Sequence, residues 1–148
     1  MPLLTRFYLK SAFIYLAVSL LLGVFQALPS AYTPPLMSAL TPVYFHLFLV
    51  GWVTQMIFGV IYWMFPIISR AKPRGNEQVA WATYILLNVG LLLRVVAEPL
   101  NSLLPAISWL GWLLTLSALS QWLAAVLFVW LSWPRVKERF RGKAANHA

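Results

Sequence analysis

Few residues in the apolar part of this chain are of types that do chemistry: one imidazole, His46, and the charged pair Arg94 and Glu98. His46 opens an apolar run, Tyr44-Phe45-His46-Leu47-Phe48-Leu49-Val50-Gly51. An ionisable ring near the end of a membrane span needs something to hold it, so it reads as a ligand or a functional hydrogen-bonding group. The plainer alternative is an interfacial histidine bonded to a carbonyl or wetted by headgroup water. Arg94 and Glu98 stand i,i+4 and can pair directly. An ion pair that closes a helix end is a sufficient structural reason for them. No general acid/base pair, nucleophile or second metal site accompanies these residues, so independent catalysis is not expected.

The solvent for most of the chain is lipid. Of its 148 residues 61% are hydrophobic and 9% charged, and eight are tryptophan. A soluble domain of this size leaves too much of its surface in water to hide so much apolar area. The net charge of +8 sits at the two ends and in one connection. That clustering is a topology signal and argues against nucleic acid as a partner. The absence of cysteine excludes disulfides and thiolate metal ligation.

The expected fold is all-α, an integral membrane four-helix bundle forming a single domain over residues 1–148. Spans are expected at about 9–28, 42–65, 79–97 and 106–133, each near the roughly 20 residues that cross the hydrocarbon. Prolines punctuate them: Pro29, Pro34 and Pro35, then Pro66 and Pro73, then Pro99 and Pro105. The first span follows Arg6 and Lys10 and is too long for a cleaved signal core, so it reads as retained. Arg6 and Lys10, then Arg70, Lys72 and Arg74, then Arg135, Lys137, Arg139, Arg141 and Lys143 fall on one side. The first and third connections carry no Lys or Arg. Both termini are therefore expected in the cytoplasm, with residues 134–148 a basic tail against anionic lipid. Most tryptophans fall near span ends, where interfacial anchoring accounts for them.

At 100° per residue the second span has two faces. His46, Leu49, Val50, Val53, Ile57, Val60 and Met64 share one. Tyr44, Gly51, Gln55, Gly59 and Tyr62 share the other, whose four-residue repeat lets a neighbouring helix come close and lets Gln55 bond across. The wall below His46 has no polar partner for several turns. It suits a large flat hydrophobic ligand better than a proton relay, which needs further Asp, Glu or His.

The segment Tyr44 to Ser69, YFHLFLVGWVTQMIFGVIYWMFPIIS, resembles the tenth helix of haem-copper oxidase subunit I. That family carries His-Phe-His, an aliphatic run, a glycine pair and Gly-x-x-Tyr-x-Trp-Phe-Pro. Phe45, His46, Leu49, Val50, Gly51, Ile61, Tyr62, Phe65, Pro66, Ile68 and Ser69 match without gaps. The resemblance implies that His46 stands at the low-spin haem ligand. Tyr44 stands where the high-spin ligand belongs, and the copper-binding histidines have no counterpart. One haem b site is implied, with the oxygen-reducing centre lost; the expected location is a prokaryotic cytoplasmic membrane. The likeness extends loosely to about Glu98. The family also has arginines near the outer end of the following helix, which implies that Arg94, with Glu98 beside it, faces haem propionates. A guanidinium fork suits such carboxylates.

A low-spin haem needs two strong axial ligands. His147 lies on the wrong side, leaving a five-coordinate haem, a methionine partner such as Met37 or Met56, or two copies of His46 from a twofold dimer. A homodimer sharing one haem is the leading expectation, serving electron transfer with a respiratory partner. The alternatives are a five-coordinate sensor of NO or O2, and a small structural or assembly subunit of a respiratory complex with no cofactor of its own.

Overall fold

The computed structural model describes residues 1–29, 34–68 and 74–136. Ser69, Arg70 and Lys72, and Lys137, Arg139, Arg141, Lys143 and His147 of the basic tail, lie outside them. The described residues form helices and turns only: α1 (Leu3–Gln26), α2 (Pro35–Ala39), α3 (Thr41–His46), a π-helical stretch (Leu47–Thr54), α4 (Gln55–Met64), α5 (Glu77–Leu103), α6 (Trp109–Ser132) and a 3-10 turn (Trp133–Arg135). Lipid offers the backbone no hydrogen bonds, so helices that satisfy their own are the natural answer. Four of these stretches are long and apolar enough to cross a membrane: Leu3–Gln26, Leu36–Met64, Glu77–Leu103 and Trp109–Arg135.

Local chemistry explains the helix ends. Pro35 and Pro42 sit in the first turns of α2 and α3, where a missing N–H costs nothing. Phe65 turns extended before Pro66 and stops α4. Asn76 caps α5 by accepting from the Gln78 N–H at 3.0 Å, with Glu77 in the first turn. Pro99 does not stop the third span as its position predicts. α5 runs through it to Leu103, and the buried proline lies in the last two turns, where the Leu104 N–H still reaches the Leu100 carbonyl at 2.8 Å. The third connection is correspondingly the short stretch 104–108.

The second span packs on α1 and α5 packs on α6, each pair antiparallel. α1 also meets α5 through rings at one end, Phe7 against Trp81 and Tyr8 against Tyr84. α6 meets α4 through the Phe58–Phe128 stack. The second and third spans therefore occupy the middle of the bundle, with α1 and α6 at opposite corners. Chain direction places the start of the second span and the end of α5 at one end, called here the His46 end. Arg74 and Arg135 mark the other.

The stripe Val43, Leu47, Gly51, Gln55, Gly59 and Tyr62 is buried, while Leu49, Ile57, Val60 and Met64 face outward. A strict four-residue repeat drifts around an α-helix of 3.6 residues per turn. The π stretch holds more residues per turn and keeps Leu47, Gly51 and Gln55 on one side. Its wider turn shows again in Thr54, whose hydroxyl donates to the Leu49 carbonyl five residues back at 2.9 Å. Gly51 has to be glycine, because a Cβ there would lie 2.8 Å from the Tyr15 ring of α1. Trp109, Trp112, Trp130 and Trp133 are exposed near span ends, but exposed Trp122 is in the middle of α6, where interfacial anchoring does not account for it.

Candidate functional site

α3 delivers His46 to the junction with the π stretch, and α5 runs antiparallel beside it. The two helices bring His46, Arg94 and Glu98 together, although 48 residues separate the first two. The ring is pinned from both nitrogens. His46 Nδ1 lies 2.9 Å from the Pro42 carbonyl one turn back, and Nε2 lies 2.8 Å from Arg94 Nη1. A carbonyl only accepts and a guanidinium only donates. The pattern therefore requires the Nδ1–H tautomer, with the Nε2 lone pair turned toward Arg94.

Glu98 adds a carboxylate at the edge of this contact. Its oxygens lie 3.9 Å from Arg94 Nη1 and 4.0 Å from His46 Nδ1, both too long for a hydrogen bond. Glu98 Oε2 is buried without a hydrogen-bond partner. The side chains of Arg94 and Glu98 are 16% and 19% exposed, and that of His46 is 30% exposed. The imidazole is thus the most open member of the group. Beneath it, Leu49, Ile57 and Val60 continue the exposed apolar wall.

Arg94 is steadied from α6. Its Nε donates to Ser117 Oγ at 3.4 Å, Gln121 Nε2 donates to the same oxygen at 3.2 Å, and the serine donates to the Gly90 carbonyl at 2.7 Å. This contact needs the backbones of α5 and α6 close together. A Cβ on Gly90 would lie 2.9 Å from the Ser117 carbonyl oxygen, which only glycine avoids. Sequence reasoning did not single out Ser117 or Gln121. Their signal was present, since they are polar residues four apart on one face of an apolar span.

Sequence reasoning also missed most of a second polar centre, nearer the middle of the bundle. Gln55 is fully buried and makes the interhelical bonds its position predicts, to Ser11 Oγ at 2.5 Å and Asn88 Oδ1 at 3.4 Å. Tyr15 donates to Asn88 Oδ1 at 2.8 Å, and Tyr84 to Ser11 Oγ at 3.3 Å. Three spans are tied at this point. None of its members is a strong metal ligand, and the centre has the chemistry of interhelical glue.

Among the described residues no group of three or more His, Asp or Glu side chains is placed to hold a metal ion. Among the described residues His46 is the one imidazole. Met37 lines a small hollow with Gln26, Ser38 and Thr41, and Met56 lies in α4, beyond the π stretch from His46. No family model, curated protein or solved structure matches the chain.

Proposed function

We propose that this chain is a membrane haem b protein that works in electron transfer, with His46 as the protein's axial ligand. The observation that carries the reading is the setting of His46. A carbonyl fixes its Nδ1–H, which orients the ring and leaves Nε2 as the ligating atom, the arrangement that metal-bound histidines use. The ring is the open member of its cluster and stands above an exposed apolar wall suited to a flat hydrophobic group. When bound, haem would supply a one-electron redox centre.

Arg94 occupies the Nε2 lone pair here, so ligation requires it to change partners. Glu98, with an unpartnered buried oxygen 4.0 Å from the imidazole and its other oxygen 3.9 Å from Arg94, is a second acceptor within reach. A guanidinium released from His46 also suits carboxylates such as propionates. With one intramembrane histidine per chain, a second copy of His46 from a twofold partner completes a bis-imidazole site. The distribution of Lys and Arg supports both termini in the cytoplasm, with the His46 end outside.

One observation favours a second reading. His46, Arg94 and Ser117 already satisfy one another across the second, third and fourth spans. A lock of that kind is what a cofactor-free structural subunit of a respiratory complex would need. Purification separates the two. The haem reading requires a Soret band, one haem per two chains and a low-spin bis-imidazole signal in the ferric form. One haem per chain with a high-spin signal would replace the shared site with a five-coordinate, gas-binding one. A colourless protein that takes up no added haem would leave only the structural lock.

A further inference from the structure

At the end of the bundle opposite His46, two guanidinium groups converge on one ring. Arg74 lies 6.0 Å from the Tyr62 centroid and Arg135 5.8 Å from it. Arg135 is 1% exposed and donates to three carbonyls at the end of the second span, those of Tyr62, Phe65 and Pro66. These bonds leave Nη1 without a partner, and Arg74 Nε is also unpartnered. Among the described residues neither arginine has a carboxylate within ion-pair distance. The chain has only three acidic residues: Glu98 at the far end, Glu77 in the first turn of α5, and Glu138 outside the described residues.

Two neighbouring cations that share the surroundings of Tyr62 with the single carboxylate of Glu77, neither paired with it directly, are costly where water is scarce, and a further anion lowers that cost. The surroundings indicate which kind. Arg135 lines a hollow of about 210 Å³ with Phe65, Pro66 and Val136. Next along the chain, Val126, Val129, Trp130, Trp133 and Pro134 line an apolar hollow of about 430 Å³. Both lie toward the ends of the second and fourth spans, on the side where the Lys and Arg clusters fall. A phosphate on the guanidiniums with an apolar tail alongside matches this sequence of polar and apolar surface.

We infer that Arg74 and Arg135 form a phosphate site, taken in the membrane by the headgroup of an anionic glycerophospholipid. The test is native mass spectrometry of the full chain in mild detergent, titrated separately with phosphatidylglycerol, phosphatidylcholine and inorganic phosphate. One phosphatidylglycerol should stay bound in preference to phosphatidylcholine, with inorganic phosphate failing to displace it. Arg74→Gln should weaken retention about tenfold, the order expected for one charge-assisted contact. Among the described residues Arg74 makes no hydrogen bond that holds the fold, so the unfolding midpoint of the lipid-free protein should not fall, and removing one of two like charges should hold or raise it. Arg74→Lys keeps the charge without the fork and should fall between. Equal retention of the two lipids, or unaltered binding by Arg74→Gln, would overturn the site. Displacement by inorganic phosphate would overturn the lipid as its occupant and assign the site to the free ion.

Discussion

Arg94 and Arg135 lie at opposite ends of the bundle and are held by different kinds of acceptor. Arg135 donates only to backbone carbonyls, that of Tyr62 in the last turn of α4 and those of Phe65 and Pro66 just beyond it, which move only if the main chain moves. Arg94 donates to the side chains of His46 and Ser117, with the Glu98 carboxylate within 4 Å, and side chains can exchange partners by a rotamer change. An arginine held by the backbone joins elements together. One held by side chains with an unpartnered acceptor beside it can respond to a ligand. The contrast is therefore between an Arg135 side chain that joins spans and an Arg94 side chain that is free to change partners, and each half of it can be broken.

The largest effect is expected at Arg135. Arg135→Ala removes three charge-assisted bonds and leaves the carbonyls of Tyr62, Phe65 and Pro66 unmet at the end of the second span. The cost should be about 3 kcal/mol or more, read as a fall in the unfolding midpoint in detergent. A change under about 1 kcal/mol would show that the buried arginine does not tie the second span to the fourth, and the contrast with Arg94 would disappear.

Next is His46→Ala. Haem binding should be abolished, because no other intramembrane side chain offers an imidazole, while insertion continues and stability falls by only about 1 kcal/mol. The absorption spectrum of haem-reconstituted protein reads the first effect, and the unfolding midpoint the second. A normal Soret band and haem content in the variant would remove His46 from the site. A stability loss as large as that of Arg135→Ala would make the His46 end structural as well.

The sequence made one of these ends easier to read than the other. Span number and the buried stripe through Gly51, Gln55 and Gly59 follow from helical periodicity, and chain direction sets the start of the second span level with the end of the third, where Arg94 and Glu98 stand. In the sequence Arg135 belongs to a basic tail, the positive cluster that keeps a last span's end in the cytoplasm and meets anionic lipid. Nothing local distinguishes a cation that folds back onto Pro66, 69 residues earlier, from one that does not. Pro99 misleads for a related reason. Its cost is local and readable, but the packing that buries it and carries α5 onward is not. The π stretch was equally hidden, since its register depends on how Gly51 meets Tyr15 across the helix pair.

Arg94→Leu should have a smaller effect than either preceding change. If Arg94 turns to carboxylates once His46 is engaged, haem retention should weaken about tenfold with the ligation type unchanged. A titration of haem into detergent-solubilised protein measures the first, and the ferric spectrum the second. Stronger retention in the variant would mean that Arg94 only competes for Nε2, which supports the lock and not the site.

The smallest effect, and the sharpest division between those two roles, is expected at Ser117. Its hydroxyl accepts from Arg94 at 3.4 Å, near the limit of a hydrogen bond, yet it is the contact by which α6 steadies the guanidinium. Ser117→Ala should cost about 0.5–1 kcal/mol, in the range of interhelical polar contacts in membranes. A double-mutant cycle with Arg94→Leu then measures how far the two residues act as one unit. In a structural lock, the arginine is useful only while Ser117 and His46 hold it together, so the coupling should approach the whole cost of the single changes. With an exchangeable arginine the coupling stays small, and haem retention in Ser117→Ala remains within about twofold of the parent. A coupling that equals the whole cost of Ser117→Ala would place Arg94 beside Arg135 as a residue that joins spans, and the distinction between the two ends would rest on His46 alone.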